Sequence, residues 1–171
     1  MKGAIFFSGQ YGSTAQYADW IGHATSLPVF DVKSVNADPS NYDFLVLGSS
    51  VIMYKLTIHK WVNRYLSSFV GKPIILFTVS GARSGPKLDS WVVGSLPESL
   101  TSKIDHVALR GRSDPKTVSW RHRVLLRIGA WTNKDPEEKR EELEGFDYMD
   151  KSSIEPILKL VEQFQPNEVS K

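Results

Sequence analysis

The chain has 171 residues, with 21 Lys and Arg against 19 Asp and Glu, a formal net charge of +2 and 41% apolar residues, values ordinary for one globular domain with a substantial core. It has no cysteine, which excludes disulfides, thiolate metal sites, iron–sulfur clusters and a cysteine nucleophile. His23, His59, His106 and His122 show no metal-ligand spacing, so no metal is expected. No run approaches the ~18 apolar residues that span a bilayer, and Ser8 and Gln10 break the first apolar run, so no leader segment is expected and the expected location is cytoplasmic.

Taken in chain order, short apolar runs alternate with longer amphipathic ones. Residues 3–7 predict a strand and residues 14–24 a helix, with Ala15, Ala18, Trp20 and Ile21 among its apolar positions. Residues 29–32 and 43–48 predict further strands, the latter carrying Phe44-Leu45-Val46-Leu47. Residues 57–70 predict a helix with Thr57 as N-cap and Ile58, Trp61, Val62, Tyr65, Leu66 and Phe69 at helical spacing. A strand over 73–79, a helix over 86–100, a strand over 104–109 and a helix over 153–164 complete the pattern, with a polar tail at 165–171. Trp61 and Trp91 read as core side chains, as large aromatics at helical spacing usually are. Strands apolar on both faces predict a parallel sheet covered on both sides, and the alternation predicts a doubly wound α/β fold.

Such folds bind ligands beyond the carboxyl ends of their strands. Three loops should meet there. The first is Ser8-Gly9-Gln10-Tyr11-Gly12-Ser13-Thr14, between a strand and a helix start. Unpaired N–H groups and the positive end of the helix dipole suit a phosphate, and Ser13 and Thr14 add hydroxyl donors. The second is Ser49-Ser50-Val51-Ile52-Met53-Tyr54, and the third is Ser80-Gly81-Ala82-Arg83-Ser84-Gly85. A dinucleotide would call for G-x-G-x-x-G and an acid after the second strand. Asp31 lies near that place, but the loop offers only Gly9 and Gly12 among hydroxyls. A mononucleotide phosphate accounts for the hydroxyls better.

Residues 110–152 interrupt the alternation before the last helix. Residues 103–134 hold eight Lys and Arg against Asp105 and Asp114, a balance of +6, whereas residues 135–150 hold eight Asp and Glu against Lys139 and Arg140, a balance of −6. A helix over 116–129 would stack Trp120, Val124 and Ile128, widened by Leu125, with Lys116, Arg123 and Arg127 on one flank and Arg121 on the other. A basic element with an apolar Trp-bearing face fits an anionic membrane surface or a partner held there. It equally fits a helix docked on its own domain and paired with the acidic block. No nucleic-acid motif accompanies it, so nucleic acid is not an expected partner.

Gly12-Ser13-Thr14 after a strand, with the loops at 49–54 and 80–85, resembles the flavodoxin family. Gly9 and Tyr11 stand where that family's phosphate loop usually has hydroxyl residues. Within it, the chain is most similar to the flavodoxin-like menaquinone-dependent protoporphyrinogen oxidases. The similarity lies in Phe7-Ser8 leading to Gly12-x-Thr14, Asn41-Tyr42-Asp43, Gly48-Ser49-Ser50-Val51 with Tyr54, and the basic insertion around Trp120-Arg121-His122-Arg123. The resemblance implies a single flavodoxin-like domain over 1–171, with a five-stranded parallel sheet of order 2-1-3-4-5, helices on both faces and the insertion at about 110–152. It implies FMN as cofactor, its phosphate at Ser8, Gln10, Tyr11, Gly12, Ser13 and Thr14 and its ring between the second and third loops. Those loops would contribute Ser49, Ser50, Val51, Ile52, Met53 and Tyr54, and Ser80, Gly81, Ala82 and Arg83. Tyr54 would stack on the ring, and Arg83 would meet negative charge on the reduced ring or on a substrate carboxylate. The implied activity passes electrons from an organic substrate such as protoporphyrinogen to a quinone-type acceptor. The competing reading is an electron carrier between redox proteins, against which the net positive charge weighs. A flavin-free interaction module is a third. No catalytic acid or base can be named.

Overall fold

The computed structural model describes residues 1–114 and 144–165 together with Pro136 and Arg140. Five parallel strands form the sheet: β1 (Gly3–Ser8), β2 (Val29–Asp31), β3 (Phe44–Ile52), β5 (Ile74–Ser80) and β6 (Ile104–Arg110), in spatial order β2-β1-β3-β5-β6. A two-residue strand, β4 (Lys55–Leu56), folds back antiparallel on β3. Setting β4 aside, the order is the 2-1-3-4-5 expected of a flavodoxin-like doubly wound sheet.

Successive strand residues point to opposite faces, so a sheet buried on both faces needs apolar residues at every position. Ile5, Phe7, Val46, Ile75, Phe77, Val79 and Leu109 face α1 (Ser13–Thr25) and the last helix, α5 (Glu155–Phe164), which bring Tyr17, Ile21, Ile157 and Val161. Ala4, Phe6, Leu45, Leu47, Ile74 and Leu76 face α2 (His59–Arg64), α3 (Pro86–Ser95) and α4 (Glu98–Thr101), with Val62, Val92 and Leu100. Trp61 stacks on Phe6, with ring centroids 4.8 Å apart.

Four expectations need correction. Residues 49–52 are strand, not loop. Gly48 does not end β3; a Cβ there would overlap the Phe77 ring, so the glycine serves close packing between neighbouring strands. The chain turns only at Met53-Tyr54. Thr57 is no N-cap: α2 starts at His59, Ile58 is its cap without a side-chain bond, and the Thr57 hydroxyl is committed elsewhere. The helix expected over 57–70 covers only His59–Arg64, followed by a 3₁₀ turn at Leu66–Phe69. That expected over 86–100 is split at Leu96-Pro97, where proline has no N–H to continue the ladder.

The insertion opens and closes with a short antiparallel pair, β7 (Arg112–Ser113) and β8 (Phe146–Asp147). Both ends are tied to α1 by Tyr17. This fully buried side chain donates its hydroxyl to the Arg110 carbonyl at 2.8 Å and accepts the Asp150 N–H at 3.1 Å. The helix expected over 116–129 and the tail from 166 onward lie outside the described residues. Among the described residues no helix is long and apolar enough to cross a membrane.

Candidate functional site

β1, β3 and β5 all end at one edge of the sheet, so the three expected loops do converge there. Loop 8–14 enters α1 through Gly12, whose φ of +88° lies in the left-handed region that side chains with a Cβ rarely adopt. Gly12 is the N-cap but has no side chain to cap with, and the first turn of α1 contains no acid. The first intrahelical bond runs from Gln16 N–H to the Gly12 carbonyl at 3.0 Å. The N–H groups of Ser13, Thr14 and Ala15 therefore precede the helical ladder. A Cβ at Gly9 would stand 3.0 Å from Thr14 Cβ and 3.7 Å from Ala15 N, so the bare glycine leaves the amide end of α1 open to a ligand.

The buried hydroxyls of this loop differ in use. Ser8 Oγ, on a residue 1% exposed, has no hydrogen-bond partner among the described residues. A buried hydroxyl left so costs about 1–3 kcal/mol unless something binds it. Ser13 Oγ is engaged by the insertion: it accepts the Arg112 N–H at 3.2 Å and faces the Arg112 carbonyl at 3.5 Å. Thr14 is buried beside Gly9, Tyr11 is half-buried and Gln10 is exposed. The open amides, the unpartnered hydroxyl and the positive helix end form a donor set that fits a phosphate monoester.

Thr57 joins the first loop to the second. Its hydroxyl donates to the Ser8 carbonyl at 2.6 Å and lies 3.2 Å from Ser50 Oγ and 3.3 Å from Ser49 Oγ. Ser49 Oγ also donates to the Ser50 carbonyl at 2.9 Å and accepts Ile58 N–H at 3.3 Å. Ser49 thus uses its hydroxyl inside the fold. Val51 and Ile52 pair with Leu56 and Lys55. Met53 and Tyr54 form the hairpin tip, at φ 50° and 63° and 63% and 67% exposed. The Tyr54 ring centroid is 5.1 Å from that of Trp91, over which Lys87 Nζ stands at 5.7 Å. Trp91 therefore belongs to this exposed edge and not to the core, contrary to its helical spacing.

The insertion braces the third loop. Ser80 Oγ donates to the Ala82 carbonyl at 3.4 Å. The Gly81 carbonyl accepts Arg110 Nη2 at 2.9 Å and Nε at 3.3 Å, and that guanidinium lies 3.5 Å from the Tyr148 ring centroid. A Cβ at Gly81 would stand 2.6 Å from Phe146 Cζ. Arg83 is exposed on the same loop. Composition alone could not single out Thr57, Arg110 or Arg112, because their parts depend on distant partners.

The solved structures that match the chain include a flavodoxin from the domain Archaea, 16% identical, covering 95% of this chain and 99% of that one with a TM-score of 0.47. Flavodoxin 1 of Bacillus cereus is 17% identical over 84% and 92%, with a TM-score of 0.47. A flavoprotein of Lactobacillus acidophilus solved in complex with FMN is 14% identical over 64% and 91%, with a TM-score of 0.47. No curated protein matches. A family model, the flavodoxin domain, matches residues 4–140, and the chain belongs to that family.

Proposed function

We propose that the chain binds FMN at the carboxyl edge of the sheet and works as an oxidoreductase, taking electrons from an organic substrate of the protoporphyrinogen class and delivering them to a quinone-type acceptor. The observation that carries the FMN part is the pairing of a buried, unpartnered Ser8 hydroxyl with the open amide end of α1. FMN, when bound, would supply the redox chemistry. The chain's residues would then hold and shield it. Ser8 Oγ and the N–H groups of Ser13, Thr14 and Ala15 would take the phosphate, while Thr57 fixes the first loop against the second. Tyr54, beside Trp91, offers an aromatic face at the outer edge. Arg110, bonded to the Gly81 carbonyl, holds the third loop in place.

The oxidase part rests on the resemblance in sequence and on the net positive charge. The basic insertion would guide an acidic or membrane-held partner, since exposed cations near an anionic surface are worth about 1 kcal/mol each. The test begins with the visible spectrum of the purified protein after FMN addition. The reduced protein is then mixed anaerobically with a menaquinone analogue or with a one-electron protein acceptor. Rapid reoxidation by the quinone, and reduction of the oxidised protein by protoporphyrinogen, are expected. Fast exchange with the protein acceptor alone would establish a carrier instead.

A further inference from the structure

Two cations contact the first loop, one near Gly12 and one at Gly9. Arg112, the first residue of β7, places Nη2 3.9 Å from where a Cβ on Gly12 would stand. Its backbone is fixed to the start of α1 by both bonds to Ser13 and by pairing with Asp147. Gly111 before it runs so close that a Cβ there would meet Val79 Cγ1 at 2.9 Å and Ser13 Cβ at 3.4 Å. Lys33, two residues beyond β2, donates Nζ to the Gly9 carbonyl at 2.6 Å. Among the described residues, no carboxylate forms an ion pair with either charge.

This arrangement gathers positive charge where it is already in excess. The N-terminus of α1 carries the positive end of the helix dipole, which ordinarily attracts acids. Here the first turn has none, and a guanidinium beside Gly12 and an ammonium on the Gly9 carbonyl both contact the loop that leads into it. Like-signed crowding is unfavourable until an anion enters, and the buried Ser8 hydroxyl waits at the same loop. We propose that Arg112 and Lys33 form a cationic clamp on a phosphate monoester dianion seated at residues 8–14. The insertion would then contribute a binding side chain as well as a brace. That the monoester is FMN's rests on the reading above; the clamp needs only the phosphate.

Kd values for FMN and for riboflavin, which lacks the phosphate, are to be measured by fluorescence titration for the wild type, Arg112→Gln, Lys33→Gln and Arg112→Lys. Charge-assisted hydrogen bonds are the strong ones. Arg112→Gln should weaken FMN binding about tenfold, Lys33→Gln somewhat less, and neither should change riboflavin binding. Arg112→Lys should recover part of the loss. Wild-type FMN affinity should fall between about 50 and 500 mM salt, and fall less in a variant carrying both Arg112→Gln and Lys33→Gln. A wild-type ratio of FMN to riboflavin affinity in both Gln variants would overturn the clamp while leaving the flavin reading intact. The amide resonances of Gly12, Ser13 and Thr14, followed with added phenyl phosphate, separate the two failures. An Arg112-dependent shift in a protein that takes no FMN keeps the clamp and removes the flavin. No shift and no FMN removes both.

Discussion

The two ends of the site are built in opposite ways. At the 8–14 end Ser8, Ser13 and Thr14 are at most 7% exposed, and Thr57 and Arg112 tie the backbone to two other parts of the chain. At the 53–54 end two large side chains stand more than 60% exposed on positive-φ backbone, with Trp91 beside the outer one. On the proposed reading, the first end is a buried, cross-tied cradle that bears on affinity. The second bears on what the bound group meets, and it carries backbone strain of the kind that collects at functional sites.

The contrast breaks hardest at Gly12. Gly12→Val puts a β-branched residue at φ +88°, a conformation costing on the order of 1–3 kcal/mol. The loop should escape by rotating its amides away from the phosphate position. FMN affinity should fall on the order of a hundredfold, with the melting temperature only modestly lowered. The same substitution with undiminished FMN binding would show that the cradle is not the phosphate site.

Tyr17→Phe tests whether the insertion belongs to the buried end. It keeps the ring in the core but deletes the acceptor for Asp150 N–H and the donor to the Arg110 carbonyl. The expected cost is about 1–3 kcal/mol by denaturant titration. FMN affinity should weaken a few fold, because Arg112 lies only two residues beyond the Arg110 carbonyl that Tyr17 holds. If stability falls but affinity holds, the insertion braces the fold without reaching the cofactor.

At the other end, Met53→Asn relieves strain. A two-residue hairpin with both φ values positive is the geometry of Asn-Gly, and Met and Tyr occupy it here. Left-handed backbone costs roughly 1–2 kcal/mol for residues with a Cβ, and Asn tolerates it better. The substitution should stabilise the chain by about 0.5–1 kcal/mol while leaving FMN affinity unchanged. A stabilised variant with slower electron delivery would show that the strained tip serves function.

These differences also explain which parts could be read from the chain. The five main strands announce themselves because a sheet buried on both faces makes continuous apolar runs, as in Phe44-Leu45-Val46-Leu47. Loop 8–14 was legible because strand, glycine, hydroxyl and helix follow one another locally. What escaped depends on contacts across the chain. Gly48 looks like a strand end until the Phe77 ring is seen beside it. Thr57 has the composition of an N-cap, yet the Ser8 carbonyl takes its hydroxyl first. Trp91 has core spacing on its helix, but α3 leaves that position at the sheet edge beside Tyr54. Arg112 sat within a recognised basic block, but only the β7–β8 pairing singles it out from its neighbours.

His106 offers the gentlest test, because it connects the two ends without belonging to either. It lies on β6, the strand that leads to Arg110, and its Nε2 is 2.9 Å from Thr78 Oγ1. Its Nδ1 is 3.8 Å from a carboxylate oxygen of Asp89 on α3, the helix that also carries Lys87 and Trp91. Burial holds the His106 pKa below its ordinary value of 6.5, and the Asp89 carboxylate opposes that shift without cancelling it. The unfolded chain therefore takes up the proton at a higher pH than the folded one. Where the two states differ, the unfolded state binds more protons, and stability rises with pH. The contribution is complete above about pH 6.5 and is lost as the pH falls through the folded value. Melting temperature should thus decline on acidification below neutrality, and His106→Asn should flatten that part of the profile. Asp89→Asn removes the upward pull, so the decline should begin at the same pH and continue further. An unchanged slope in His106→Asn would mean that another group sets the acid limit, and that β6 and α3 are not coupled through this histidine.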